Sequence, residues 1–184
     1  MNDELEIQNL IFRLAFHRDQ GEWIEAARIL EHATFESHYP AGYPGVGLRT
    51  QEYQDRSAGT TGRQRGVEEI AELFRSTARL YDDGLPHTQY MTTNLVVDVD
   101  ADRRTATARS YYMVIQSRPD FPLQMIAAGR YVDRFAKVDG AWRFTSRDVY
   151  ADHSGDLSHH LSRDPVAYGQ EFESRKSSDR PRLG

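Results

Sequence analysis

The stretch PHTQYMTTN, residues 86–94, holds the densest group of side chains that could do chemistry. It runs directly into the apolar sequence LVVDV, which is typical of a β-strand. Because side chains alternate along a strand, Tyr90, Thr92 and Asn94 share one face. His87 belongs to the other face unless a bulge at the strand entrance re-aims it. A histidine transfers protons near neutral pH, whereas a tyrosine with a pKa of about 10 mainly donates a hydrogen bond, so the two predict different chemistry.

The overall composition excludes several classes of function. The chain has 184 residues, a net charge of −5 and no cysteine. The negative charge gives no basic surface for nucleic acid, and the lack of cysteine excludes disulfides, thiolate nucleophiles and cysteine metal sites. No apolar run reaches the ~18 residues of a membrane span, and the acidic N-terminus is unlike a signal peptide. We therefore expect a cytoplasmic protein that does not bind membranes.

The elements that must position these residues are helices first and strands afterwards. Apolar residues recur at helical spacing over residues 5–15, 23–30 and 67–81, and Gly21 is a typical helix end. Two predicted hairpins follow, one closed by ADRR and the other by the strong turn signal DG. Helices followed by sequential long strands predict one α+β domain, with a curved antiparallel sheet wrapped over three N-terminal helices.

The ends of this domain and its assembly are also predicted from composition. We assign residues 1–164 to the domain, because the sequence after them becomes charged and poor in apolar residues. Residues 165–184 are accordingly predicted to form a flexible C-terminal tail or an arm on a partner. Strands with apolar residues on both faces leave one sheet face uncovered, which predicts a homodimer or homotrimer. A monomeric mass in solution would contradict this assembly.

Two further motifs predict neither a metal nor a phosphate site. The glycine-rich stretch GYPGVG, residues 42–47, lacks the strand–glycine–helix context of a phosphate loop and is predicted to be a lid or rim. The histidine-rich stretch near the C-terminus matches no zinc-ligand spacing and is predicted to be a solvated loop. Its candidate ligands are His153, Asp156, His159 and His160.

Three motifs carry a resemblance to a known family. RDQGEW follows the first helix, TTN opens a long strand and GRYVDRFAKVDGAWRF forms the last hairpin. In this order they resemble the SnoaL-like branch of the nuclear-transport-factor-2-like superfamily, over residues 5–161. The resemblance implies a cone-shaped fold with a pocket between sheet and helices. It also implies kinship to cofactor-free lyases such as scytalone dehydratase, bile-acid 7α-dehydratase and hexachlorocyclohexane dehydrochlorinase, although the superfamily includes isomerases, cyclases and non-catalytic subunits.

The resemblance implies one carboxylate and one departure from the family pattern. In these lyases a carboxylate at the end of the first helix activates a histidine on a strand. Asp19 matches the carboxylate, but the histidine position falls on Tyr90. Either Asp19 acts as the base with Tyr90 as donor and His87 in reserve, or Tyr90 merely lines the pocket and no proton moves. In both cases we expect the Tyr90 hydroxyl to reach Asp19 and His87 to lie at the rim or outside.

Other contacts to the bound molecule are predicted less directly. Arg147 matches a pocket position of the dehydrochlorinase and could bind an anionic group, although pairing with a neighbouring aspartate is equally expected. Tyr111 and Tyr112 lie on opposite faces of one strand, and the sequence does not decide which one lines the pocket. Further predicted binding residues are Trp23, Thr92 and Asn94.

Together these features predict that the protein binds a small, largely apolar organic molecule. The 10 tyrosines and 8 phenylalanines can supply aromatic pocket walls. As an enzyme it would be a cofactor-independent lyase (dehydratase) or isomerase that uses Asp19 and Tyr90. The alternative is a non-catalytic ligand-binding module or a structural subunit, like the small chain of ring-hydroxylating dioxygenases. The missing histidine favours a binding module, because proton transfer needs a group that titrates near neutrality.

Overall fold

Four helices and seven strands make up the described parts of the computed structural model, residues 2–40 and 59–178. The helices are α1 (Asp3–Asp19), α2 (Trp23–Ile29), α3 (Gly66–Thr77) and α4 (Pro165–Ser178). The strands are β1 (Thr34–Tyr39), β2 (Gly59–Thr60), β3 (Gln64–Arg65), β4 (Thr88–Val99), β5 (Thr105–Arg118), β6 (Phe121–Val138) and β7 (Ala141–Ser154). The predicted lid at residues 42–47 lies outside these ranges.

All seven strands belong to one curved, open sheet. Their order is β2-β1-β7-β6-β5-β4, with β3 also paired to β1. The predicted α+β class is confirmed, but the sheet is mixed, because β1 runs parallel to β7. The other pairs are antiparallel. Strands β2 and β3 pair with β1 directly after it, and the chain returns to the other edge of β1 only with β7, its last strand.

The N-terminal helices form where apolar spacing predicts them. In α1 the buried residues Ile7, Ile11 and Leu14 face the sheet. The helix begins after Asn2, whose side chain accepts a hydrogen bond from the Glu4 backbone N–H at 3.0 Å. In α3 the buried positions again follow helical spacing, and the helix ends at Thr77. None of the helices within the two described ranges is long and apolar enough to cross a membrane.

Both predicted hairpins are present, and one strand carries a bulge that matters for the site. Asp139 and Gly140 join β6 to β7 with φ of 51° and 81°, the positive pair that a type I′ turn requires. In β4 the register shifts between Thr93 and Val96, and Asn94 has a φ of 50°. The bulge reverses the alternation, so Asn94 is exposed instead of sharing the inner face with Tyr90.

Residues 165–178 are an ordered helix instead of the predicted flexible tail. Helix α4 buries Pro165, Tyr168, Gly169 and Phe172. Its backbone lies against β2, because a Cβ built on Gly169 would stand only 2.0 Å from a β2 carbonyl oxygen. The prediction failed because apolar residues are few in this segment, although their i, i+3, i+4, i+7 spacing places them on one helix face.

Candidate ligand-binding pocket

A cavity lies between the inner face of the sheet and helices α1 and α3. The space free of protein atoms in the cavity and in front of its mouth amounts to about 670 Å³, a figure that includes open solvent. Aromatic rings dominate its wall, and Ala127 and Ala151 provide the small side chains that leave room inside. The aromatic lining residues are Phe35, Tyr39, Phe74, Tyr90, Tyr112 and Tyr131. Such mostly apolar concavities with few polar groups are typical of small-molecule sites.

One wall of the cavity is a pair of stacked tyrosines supported from behind. The rings of Tyr112 and Tyr131 stack with centroids 4.5 Å apart. The Arg147 guanidinium lies 4.2 Å from the Tyr131 ring and donates two hydrogen bonds of 2.7 Å to Asp133. Arg147 thus forms an ion pair with Asp133 and does not line the cavity. Of the two predicted roles, the structure has the pairing with a neighbouring aspartate and not the contact with a bound anion. Tyr111, 53% exposed, lies on the outer face.

The polar end of the cavity is formed by three side chains from distant segments. Arg18 at the end of α1 donates a hydrogen bond from Nη2 to the Tyr90 hydroxyl at 2.9 Å. The same hydroxyl lies 3.2 Å from Nε2 of His160, in the segment after β7. The Arg18 guanidinium also lies over the rings of Tyr90 and Phe74, at 4.2 and 4.7 Å. We call Arg18, Tyr90 and His160 the polar cluster.

The hydrogen bonds of the polar cluster have a preferred direction. Arginine can only donate, so the Tyr90 oxygen accepts from Arg18. If Tyr90 then donates to Nε2 of His160, the contact between these two residues leaves one buried group unpaired, the Nδ1–H of His160. The opposite tautomer would leave two, the tyrosine O–H and the Nδ1 lone pair. Because unpaired buried polar groups are costly, we assign the hydrogen of His160 to Nδ1.

The ionisable groups of the polar cluster are neutral apart from Arg18. Burial, reinforced by the Arg18 charge, lowers the pKa of His160 to about 3. Burial raises the pKa of Tyr90 and outweighs the opposing effect of Arg18. At pH 7 the polar cluster therefore consists of one cation, one neutral imidazole and one neutral phenol.

Asp19 lies behind Tyr90 and not in the cavity. Both of its carboxylate oxygens accept from the Tyr90 backbone N–H, at 3.0 and 3.2 Å. The predicted bond to the Tyr90 hydroxyl is therefore wrong, because that hydroxyl is taken by Arg18 and His160. Burial raises the pKa of Asp19 to about 7, against the lowering effects of the Tyr90 N–H and the Arg18 charge. The carboxyl group lines a separate surface groove that also contains His87.

The remaining predicted site residues lie outside the cavity. His87 has a φ of 55°, and its Nε2 lies 2.8 Å from a carboxylate oxygen of Asp83. Trp23 is buried in the core against Phe74, with ring centroids 6.4 Å apart. The exposed Asn94 and the half-buried Thr92 do not line the cavity either.

The histidine-rich segment does not gather into a metal site. His160 enters the cavity, whereas His159 stacks on Phe121 at 4.4 Å. Within residues 2–40 and 59–178, one group has ligand atoms close enough for a metal, within 4.8 Å of one another. It consists of Glu36, His38 and Asp148. Arginines pair with both of its carboxylates, at 3.1 and 3.7 Å, and so already supply positive charge.

Sequence patterns that could have identified Arg18 and His160 are present. Arg18 continues the buried stripe of α1 at the spacing of Ile7, Ile11 and Leu14, so its side chain faces inward. Asp19 does not continue this spacing. His160 lies in a single helical turn in which the backbone N–H groups of His160 and Leu161 both bond to the Leu157 carbonyl. Buried Leu157 and Leu161 place His160 on the inner side.

The family follows from a match to the model of the SnoaL-like domain, which covers residues 1–148. The chain belongs to the SnoaL-like family. No curated protein is detectably similar to it in sequence. The predicted resemblance is confirmed, and the match includes α1, with Arg18 and Asp19, and strand β4.

Solved structures share the fold of this SnoaL-like chain at low sequence identity. An NTF2-like protein with a cystatin-like fold from Novosphingobium aromaticivorans has a TM-score of 0.58 and 17% identity, covering 85% of this chain and 86% of its own. The β subunit of a proposed aromatic-ring-hydroxylating dioxygenase from the same organism has a TM-score of 0.59 and 15% identity, covering 84% and 92%. A proposed scytalone dehydratase, also from that organism, has a TM-score of 0.55 and 20% identity, covering 85% and 91%.

We expect Asp19→Asn to stabilise the protein at pH 8 and to change it little at pH 4. The pKa of Asp19 is 3.8 in the unfolded state and about 7 in the folded state. Between these two pH values the folded state keeps a proton on Asp19 that the unfolded state releases, so stability falls as pH rises. The asparagine still accepts from Tyr90 but carries no charge that burial penalises. Thermal unfolding should show a gain of several degrees at pH 8, at roughly 2–4 °C per kcal/mol.

The exposed Asp82→Asn is the control for the loss of one negative charge. A lower unfolding temperature of Asp19→Asn at pH 8 would contradict the burial argument.

Proposed function

We propose that this SnoaL-like protein binds a small, largely apolar aromatic molecule in the cavity. The observation that carries the proposal is the wall of aromatic rings beside the polar cluster. Flat rings can stack on the Tyr112–Tyr131 wall, and the polar cluster can orient one polar substituent. Binding needs no group that titrates near pH 7, which agrees with the neutral states of Tyr90 and His160.

A variant that fills the cavity should abolish this binding. Ala127 faces the cavity, so Ala127→Phe places a ring where the bound molecule would lie. Calorimetric titration with 2-acetonaphthone, a neutral aromatic ketone, measures the effect. We expect the affinity of the variant to be at least about tenfold lower than that of the wild type.

The matched control is Ala128→Phe, the next residue, whose side chain points to the outer face of β6. Circular dichroism checks that both variants are folded. Equal affinity in the wild type and in Ala127→Phe would place the ligand elsewhere and refute the proposal.

A cofactor-independent lyase or isomerase is the second candidate, and the polar cluster favours it over an inert scaffold. In the opposite tautomer, Tyr90 would donate to a ligand carbonyl and Nδ1 of His160 would take a proton from the adjacent carbon. The electron pair would pass to the carbonyl oxygen, as an enolate stabilised by Tyr90 and Arg18. Asp19, predicted from the sequence as the base, has its carboxyl group in the groove, so His160 takes that role here.

Deuterium exchange into the methyl group of 2-acetonaphthone in D₂O, followed by NMR, separates the two candidates. The binding proposal predicts exchange at the rate of the buffer alone. Exchange that is faster with the wild type and is lost in His160→Gln would establish proton transfer and an enzyme. Asp19→Asn is the control, since a base in the groove would make exchange depend on that residue instead.

A further inference from the structure

Two buried donors at the polar end of the cavity have no acceptor. These are Nε of Arg18 and, with the tautomer assigned above, Nδ1 of His160. His160 is only 8% exposed, and both side chains line the cavity. Native proteins rarely leave such donors unpaired. Both donor atoms are covered in this structure, so a ligand in the cavity supplies the acceptor when the two side chains turn toward it. No buried acceptor of the cluster is left over, so the missing partner is a group that only accepts.

The charge of Arg18 is likewise without a counterion among residues 2–40 and 59–178. No carboxylate in those ranges forms an ion pair with it, and its close contacts are the Tyr90 hydroxyl and two aromatic rings. Its neighbour Asp19 has its carboxyl group in the groove and binds the Tyr90 backbone. With a pKa of about 7, Asp19 is ionised in only about half of the molecules at neutral pH. The cavity therefore carries net positive charge.

The Arg18 charge reaches several walls of the cavity. Burial raises the pKa values of Tyr39 and Tyr131. The Arg18 charge opposes this rise at both residues, because it stabilises their phenolate forms. It also opposes a positive charge on His160. A field that stabilises phenolates at separate positions stabilises a negative charge on a ligand lying between them.

We propose that the ligand is an aromatic organic acid, whose carboxylate is stabilised by the Arg18 charge and accepts the free N–H of His160. An ionised carboxylate only accepts hydrogen bonds, as the two free donors require. Its negative charge would neutralise the Arg18 guanidinium, which has no counterion in the described residues. The aromatic body occupies the tyrosine wall. This inference rests on the proposed function, since it names the class of molecule that the same cavity binds.

The test compares two ligands of similar shape that differ in charge. Calorimetry at pH 7.5 measures 2-naphthoate and the neutral 2-acetonaphthone against the wild type. We expect the carboxylate to bind about tenfold more tightly or better, the scale of one charge-assisted hydrogen bond. In Arg18→Met this preference should disappear, because 2-naphthoate loses far more affinity than the ketone does.

The matched control is Arg13→Met, which removes the same charge from an exposed position of the same helix and should keep the preference. His160→Phe is a second variant that keeps the Arg18 charge. It should weaken 2-naphthoate about tenfold through loss of the Nδ1–H.

Four results would overturn the inference. Equal wild-type affinity for the two ligands, or a preference that survives in Arg18→Met, refutes the acid while leaving the cavity as the binding site for the ketone. Unchanged 2-naphthoate affinity in His160→Phe refutes the second contact. Binding of neither ligand refutes the proposed function itself, and this inference with it.

Discussion

The structure depends on satisfying one buried hydroxyl group, that of Tyr90. It accepts a hydrogen bond from Arg18 and lies within hydrogen-bond reach of His160, so three segments far apart in the sequence must meet at one point. Helix α1 brings the guanidinium inward because Arg18 continues the apolar stripe of that helix. The turn after β7 brings the imidazole inward because buried leucines flank it. The cation inside an aromatic wall is a consequence of this arrangement and gives the cavity its chemical character.

The contact between Asp19 and the Tyr90 backbone lies between the groove and the cavity. From the sequence, Asp19 and the Tyr90 side chain are predicted to share one site, whereas the structure places them in two. The carboxylate fixes the position of the β4 backbone from the side of the groove, while the Tyr90 side chain extends into the cavity. A carboxylate with a raised pKa suits a general base, but the backbone of β4 separates Asp19 from the cavity. This arrangement favours ligand recognition by a fixed cation and donors over proton transfer by Asp19.

Much of the fold could be predicted from the sequence, whereas most of the site could not. Helical spacing in α1 and α3 and the DG turn report local structure, and local structure follows from local sequence. The inward face of β4 was predicted correctly at Tyr90 but not at Asn94, because a bulge changes the alternation without a clear signal in the sequence. The partners of Tyr90 are set by packing between distant segments. Strand alternation together with the family resemblance predicts that Tyr90 faces inward, but not that Arg18 and His160 meet it there.

The most direct test of this account is the protonation state of His160, measured by ¹⁵N NMR of the imidazole nitrogens between pH 4.5 and 8. The account predicts a neutral ring with its hydrogen on Nδ1 throughout, since burial and Arg18 lower its pKa to about 3. His160→Gln identifies the resonances by their loss. A ring that becomes charged near pH 6.5, or a hydrogen on Nε2 at neutral pH, would contradict the direction of the hydrogen bonds on which the polar cluster and its preference for an acidic ligand rest.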